Sequence, residues 1–165
     1  MTRDISTTDT AKLIRQALAA AFPGQKFSVK SKSYAGGSSI TIKWTDGPTS
    51  SEVETVTEQF EGADFDGSQD LKTYRDSTLN GESVHFGADF VFCNRNLSDA
   101  AIETVKDEFE AMWGKSLHFD PYYDSYRGDD CTTQGHWHRA QMRRSFYVHP
   151  NAQSDAELMH EHRDF

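Results

Sequence analysis

The stretch FSVKSKSYAGGSSITIKWT, residues 27–45, decides the fold, because it joins two alternating segments through a pair of glycines. Apolar side chains recur at every second position of each segment: Phe27, Val29, Ile40, Ile42 and Trp44. A period of two is typical of a strand with one buried face. A tight turn centred on Gly36 and Gly37 pairs Val29 with Trp44 and brings the apolar residues to the same face. The stretch therefore predicts a β-hairpin with one buried face and one polar face.

The polar face of this predicted hairpin is basic. In the register set by the two glycines, Lys30 lies directly opposite Lys43, and Lys32 follows on the same strand. Like charges directly opposite each other destabilise a sheet unless an anion lies between them. Lys30, Lys32 and Lys43 are therefore candidates for contact with an anion or with nucleic acid.

Three segments outside the hairpin have the apolar spacing of amphipathic helices. They are residues 10–22, residues 52–60 and residues 98–113. Ser51 with Glu54 matches a capping box at the start of the second helix, and Ser98 caps the third. The third helix has an apolar stripe that includes Phe109, and we expect this helix and the first to cover the sheet.

Residues 84–92, which read VHFGADFVF, give the strongest strand signal in the chain and place Phe86, Phe90 and Phe92 in the predicted core. Residues 71–79, which precede this strand, have the pattern of a short helix or of a short segment packed on the rest of the domain. The predicted order is α-β-β-α-β-α followed by a mixed tail. This order fits an α+β fold in which helices cover a small, mainly antiparallel sheet.

The last third of the chain is aromatic-rich and contains most of the histidines. Within it, residues 144–149 have the pattern of one more strand, and Ser154 fits the start of a short helix. We expect residues 1–114 to form the core domain and residues 115–165 to form a C-terminal extension packed on it.

Composition excludes several classes of protein. Among the 165 residues, no apolar run approaches the roughly 18 residues that a membrane span requires. Cys93 and Cys131 are the two cysteines, too few for a disulfide framework. The polar start of the chain, Met1 to Asp9, shows no secretory signal, so a cytoplasmic protein is expected.

The net charge of −9 is unevenly distributed. Residues 61–114 carry four basic and twelve acidic side chains, a net charge of −8. Glu103, Asp107 and Glu110 make the outer face of the third predicted helix acidic. An acidic face repels nucleic acid and attracts a protein partner with a basic surface.

Several short segments resemble a known family. They read AFPGQKFSV at residues 21–29, YAGGSSI at 34–40, WTDGPT at 44–49, FDG at 65–67 and VHFGADFVF at 84–92. Together they span roughly residues 10–95 and resemble a large polyvalent protein associated domain. The resemblance implies a setting in phages, plasmids or conjugative elements. It implies no reaction, and it supplies no functional residue for this sequence.

Candidates for catalysis and metal binding are weak. Cys131, His136 and His138 combine the side chains that bind zinc, but the paired spacing of a structural zinc module is missing. The sequence has no nucleophile motif and no cysteine-hydrolase signature. We therefore expect a binding protein without a cofactor, and not an enzyme.

The resemblance and the charge together favour an acidic protein of mobile-element origin with a counter-defence role, anti-restriction or anti-CRISPR-like, or a regulatory one. Its expected partner is a protein, such as a host nucleic-acid-processing enzyme, bound through Glu103, Asp107 and Glu110. Direct contact with nucleic acid is not expected from a charge of −9.

The alternatives are a zinc-binding protein and a nucleic-acid-binding accessory factor. The accessory factor would use the lysines named above and a basic cluster in the tail: Arg139, Arg143 and Arg144. For that cluster, internal pairing with the acidic helix competes with a role in binding.

Overall fold

The computed structural model describes residues 1–66, 68 and 71–151. Its helices are α1 (Thr7–Ala21), α2 (Ser50–Thr57), α3 (Asp99–Trp113) and α4 (Cys131–Arg143), with a 3-10 turn at Glu58–Phe60. Its strands are β1 (Arg3–Ile5), β2 (Ser28–Tyr34), β3 (Gly37–Thr45), β4 (Ala63–Asp66), β5 (Leu71–Tyr74), β6 (Ser77–Leu79), β7 (Glu82–Phe86), β8 (Phe90–Asn96), β9 (His118–Asp120) and β10 (Ser125–Arg127). The small, mostly antiparallel sheets beside the helices confirm the predicted α+β class. The helix predicted at Ser154 lies outside the described residues.

The central sheet has the strand order β2-β3-β8. The predicted hairpin forms its antiparallel half, and β8 joins β3 in parallel. One face of this sheet packs on α1 and α2, whose buried residues include Ile14, Leu18 and Val53. Ile40 and Ile42 of β3 are fully buried against them. The helices therefore cover one face of the central sheet, as the alternation of apolar residues predicts.

The register of the hairpin differs from the prediction. Val29 pairs with Ile42, and Lys30 pairs with Thr41, so Lys30 and Lys43 are not directly opposite each other. The turn lies at Ala35 and Gly36, because Gly36 has a φ of 88° whereas Gly37 already belongs to β3. Positive φ favours glycine, and only one of the two glycines uses it.

The strand predicted at residues 84–92 is in fact two strands in different sheets. β7 pairs with β1 and β6, whereas β8 pairs with β3. Between them the Gly87 N–H donates to the Ile5 carbonyl at 2.7 Å, and the Gly62 N–H donates to the Ala88 carbonyl at 2.7 Å. A Cβ on Gly87 would meet the Ile5 carbonyl oxygen at 2.6 Å, so the close approach requires glycine. The Gly87 N–H thus completes the β1–β7 ladder, and pairing ends there because the Gly87 carbonyl accepts from the Thr7 hydroxyl and the Ala88 carbonyl from Gly62 instead.

Asp89 completes this junction with its side chain. The carboxylate is buried, accepts a hydrogen bond from the Ser38 N–H at 2.9 Å and forms an ion pair with the Lys72 ammonium at 2.7 Å. The Asp89 N–H in turn donates to the Ser38 carbonyl. One side chain thus connects the start of β3, the start of β8 and strand β5.

The apolar stripe of α3 does not cover the sheet. Val105 and Phe109 belong to a second hydrophobic cluster, which they share with Leu117 and with Trp137 of α4. α4 itself is not predicted by the sequence, since among its residues only Thr133 and Trp137 are buried. The domain division at residue 114 stays a prediction, and the C-terminal segment contributes half of the buried residues around α3.

Other local predictions also need correction. The capping box of α2 uses Thr49 and Glu52 instead of Ser51 and Glu54, because the helix begins two residues earlier. Residues 71–79 form strands β5 and β6 instead of a helix. Residues 144–149 form no strand; the Phe146 N–H donates to the Gly47 carbonyl at 2.8 Å without a ladder.

Phe109→Ala tests the second cluster. The Phe109 ring is 3% exposed and packs edge-on against Trp137 at a centroid distance of 5.7 Å, so we expect a loss of about 3–5 kcal/mol in unfolding free energy. Met112→Ala on the same helix is the control, because Met112 is 78% exposed and should change stability by less than about 0.5 kcal/mol. Urea denaturation measures both, and equal effects would contradict the packing described.

Asp89→Ala tests the junction. The substitution leaves the Lys72 ammonium and the Ser38 N–H without their acceptor, and we expect a loss of about 2–3 kcal/mol in unfolding free energy. Asp107→Ala removes the same group from an exposed helix position and should be nearly neutral. Thermal denaturation of the two variants compares them, and an unchanged Asp89→Ala melting temperature would refute the proposed role.

Candidate binding surface on the central sheet

The face of the central sheet that points away from α1 and α2 is called the open face here. Its residues alternate along each strand with those of the face that packs on α1 and α2, and the observed register brings them together. They are Ser28, Lys30, Lys32 and Tyr34 of β2, Gly37, Ser39, Thr41, Lys43 and Thr45 of β3, and Phe90, Phe92, Asn94 and Asn96 of β8. Most of them are exposed, and the set contains no carboxylate.

Aromatic rings lie along one edge of the open face. Phe90 and Phe92 stack on each other with ring centroids 6.2 Å apart and planes 29° apart. Phe92 is 50% exposed, although the sequence predicts both rings in the core. The prediction is wrong because β8 has apolar residues on both faces, and Val91 and Cys93 are the ones that pack inward.

The three predicted lysines all lie on the open face. One row across the three strands contains Lys30, Thr41 and Phe92. In the next row on the same face, Lys43 lies between Ser28 and Asn94. Lys30, Lys32 and Lys43 are exposed, and within the described part of the chain none of them has an ion-pair or hydrogen-bond partner. The face is therefore locally cationic in a protein whose net charge is −9.

A depression lies at the end of the open face where β3 and β8 finish. It has a volume of about 690 Å³, and its lining includes Lys26, Ser28, Lys43 and Asn96. Asn96 is exposed beside Thr45, its partner across the parallel ladder. The depression adds a fourth lysine and an amide to the polar groups that a ligand on the open face would meet.

The predicted acidic face on α3 is partly occupied by the C-terminal segment. Glu103 accepts a hydrogen bond from the Tyr126 hydroxyl, which raises the pKa of that tyrosine above its ordinary value. Glu110 accepts a hydrogen bond from the Leu117 N–H at 2.8 Å. Asp107 is exposed and has no such partner among the described residues. Two of the three carboxylates therefore contact residues of the same chain.

The predicted arginine cluster lies on and just after α4. Arg144 pairs with Glu108 of α3 at 3.2 Å, as expected for internal pairing with the acidic helix. Arg139 and Arg143 are exposed, and neither has a partner among the residues that the structure describes. Internal pairing therefore accounts for one of the three arginines.

The three weak metal candidates all belong to α4, a helix that the sequence does not predict. Positions 131, 136 and 138 do not share one face of a helix with about 3.6 residues per turn, and Cys131 lies nearly two turns from His138. The His136 ring stacks on Trp113 with centroids 4.4 Å apart. Within the described residues, no group of three potential ligands could hold a metal ion.

These features define a small α+β domain with an open sheet face that is basic and aromatic. Among the residues described, no helix has the length and apolar character to cross a membrane. Residues 5–98 match the family model of large polyvalent protein associated domain 29, and the chain belongs to this family. The resemblance predicted from the sequence is thus confirmed, and it associates the chain with the polyvalent proteins of phages and other mobile elements.

Comparison with curated proteins and with solved structures finds no significant match to this chain. The family match includes all three strands of the central sheet, and it ends before α3 begins. The open face thus lies inside the family region, whereas α3 and α4 lie outside it.

The sequence predicts the lysines of the open face as contact residues but not its aromatic and amide groups. Phe90, Phe92, Asn94 and Asn96 are missed because a parallel strand from a distant part of the chain supplies them. The one local signal is Val91, an apolar residue between two phenylalanines, which indicates that both faces of this strand carry apolar side chains.

The two cysteines should react at different rates with iodoacetamide. Cys93 is partly buried against the sheet core, burial raises the pKa of its thiol, and only the thiolate is nucleophilic. Cys131 is exposed at the start of α4. Mass spectrometry at about pH 8, slightly below the ordinary thiol pKa, should show Cys131 alkylated first. Faster alkylation of Cys93 would contradict its placement on the inner face of β8.

Proposed function

We propose that the open face binds single-stranded nucleic acid. The observation that carries this proposal is the stacked pair Phe90 and Phe92 beside three lysines that have no partner among the described residues. The Asp89 carboxylate at the edge of this face, beside Gly37, is paired with Lys72. Exposed rings on an uncovered sheet let bases stack, and cations beside them contact the phosphates. A protein that binds a single strand uses both stacking and phosphate contacts, and the open face carries the side chains for both.

The expected binding mode follows from the rows of the sheet. A base stacks on Phe92, which is half exposed, while the neighbouring phosphates lie over β2 and β3 near Lys30 and Lys43. Asn94 and Asn96 offer amide groups to base edges along β8. Stacking tolerates any base, so we expect weak dependence on nucleotide sequence.

The net charge of −9 limits where a strand can bind. The acidic residues repel phosphate elsewhere on the surface, while the open face attracts it locally. Double-stranded nucleic acid pairs its bases with each other and does not offer their faces to Phe92. We therefore infer a preference for single strands and a role as a non-enzymatic accessory factor of a mobile element.

A counter-defence or regulatory role through the acidic face of α3 receives less support. The charge of −8 in residues 61–114 favours it, as does Asp107, which is exposed and has no partner among the described residues. Against it, Glu103 and Glu110 already hold Tyr126 and Leu117. This second candidate predicts capture of a protein partner that Glu103→Lys with Asp107→Lys abolishes, whereas our proposal predicts no effect of these changes on nucleic-acid binding.

Fluorescence anisotropy with a labelled oligothymidylate of about 12 nucleotides tests the aromatic contact. Phe92→Ala should weaken binding by about 1–3 kcal/mol, the typical contribution of one stacked base. Tyr122→Ala is the matched control, because Tyr122 is 86% exposed and belongs to the β9–β10 connection instead of the open face. No binding by the wild-type protein, or equal effects of the two variants, would overturn the proposal.

Salt dependence tests the lysines. Lys30→Ala with Lys43→Ala should reduce the slope of log affinity against log salt by about 1.4, or about 0.7 for each lost phosphate contact with a single strand. Lys115→Ala with Lys12→Ala removes the same charge from other parts of the surface and should leave the slope nearly unchanged. If Lys115→Ala with Lys12→Ala lowered the slope as much as Lys30→Ala with Lys43→Ala, the binding site would not be confined to the open face.

A further inference from the structure

A second candidate binding site, independent of the open face, lies between α3 and α4. This helix groove has a volume of about 530 Å³, which is in the range of ligand and peptide sites. Val105, Phe109 and Ala140 line its floor, and the first two belong to the buried cluster beneath it. The floor is therefore apolar and supported by a packed core.

Large apolar side chains at the mouth of the helix groove remain in contact with solvent. Met112 is 78% exposed, and Trp113 is 49% exposed although it stacks on His136. An isolated exposed apolar residue needs no explanation, but exposed apolar residues beside an apolar groove indicate a binding surface. The two residues extend the apolar floor outward along the C-terminal end of α3.

The opposite wall of the helix groove carries unneutralised positive charge. Arg139 and Arg143 are four residues apart on α4, so they lie one above the other on the same helix face. Neither has a carboxylate or carbonyl partner in the described part of the chain, whereas Arg144 is paired with Glu108. The wall thus offers two guanidinium groups, each with free donors for a carboxylate.

We propose that the helix groove docks an acidic amphipathic helix of a partner protein. Apolar side chains of that helix, spaced at i, i+3, i+4 and i+7, occupy the floor beside Met112 and Trp113. Carboxylates along its edge, one helical turn apart, pair with Arg139 and Arg143. The two arginines favour an acidic partner, and the apolar floor favours an apolar helix face. An acidic helix with one apolar face meets both requirements.

Nucleic acid fits the helix groove less well than this peptide. The floor residues Val105, Phe109 and Ala140 offer the polar edge of a base no hydrogen-bond partner. Glu108, which also lines the groove and pairs with Arg144, repels phosphate. A strand held by phosphate contacts alone would leave the apolar floor uncovered. Arg139 and Arg143 therefore serve a different partner from the lysines of the open face.

Anisotropy with a designed peptide tests the proposal on the full chain. The probe is a fluorescein-labelled helix of about 14 residues with Leu and Phe on one face and Glu along both edges of that face. We expect the wild-type protein to bind it, and Arg139→Glu with Arg143→Glu to weaken binding at least about tenfold. Met112→Ser should weaken binding without changing its salt dependence, because it removes an apolar contact only.

Charge exchange and a matched variant separate this site from the open face. A probe with Lys in place of Glu should bind the Arg139→Glu, Arg143→Glu variant better than it binds the wild-type protein. Lys30→Glu with Lys43→Glu changes the net charge equally and should leave peptide binding intact while abolishing oligothymidylate binding. Circular dichroism confirms that the variants are folded.

Three results would overturn the proposal. In the first, the wild-type protein does not bind the acidic probe. In the second, the Arg139, Arg143 variant and the Lys30, Lys43 variant lose probe binding equally. In the third, oligothymidylate binding is lost when Arg139 and Arg143 are changed but not when Phe92 is changed. The last result would assign the helix groove to nucleic acid.

Discussion

The buried Asp89 carboxylate and the backbone around it are the constraint on which the rest of the structure depends. Gly87 and Ala88 bond to β1 and to the segment before β4, and Asp89 holds Ser38 and Lys72. Pairing with β1 ends at Gly87, and the chain then starts a new strand, β8, beside β3. A carboxylate in this position must be paired, since an unpaired buried charge costs several kcal/mol of stability.

The same junction determines what the open face contains. Parallel pairing places Phe90 beside Ser39 and Phe92 beside Thr41, so the rings lie in the rows of the hairpin lysines. The inner face of β8 is then left to Val91 and Cys93, which pack on the core with α2. The buried Asp89 carboxylate therefore holds the start of the β-strand that supplies the aromatic half of the candidate site.

Positive and negative side chains lie on different surfaces of this protein, although its net charge is −9. The open face and the helix groove are cationic, while acidic side chains dominate much of the remaining surface of residues 61–114. Part of the acidic excess on α3 is used within the chain, where Glu103, Glu108 and Glu110 contact the C-terminal segment. The family match covers the open face and ends before the helix groove begins.

The sequence by itself determined the features that depend on local periodicity: α1, the β2–β3 hairpin, α3 with its Ser98 cap, the α+β class and the family. Tertiary structure decided the register around Gly36, the division of residues 84–92, and α4, in which Trp137 is the one buried apolar residue. It also decided that Phe92 faces outward. The physical reason is that a period of two assigns side chains to alternate faces, whereas only packing between distant segments determines which face is covered.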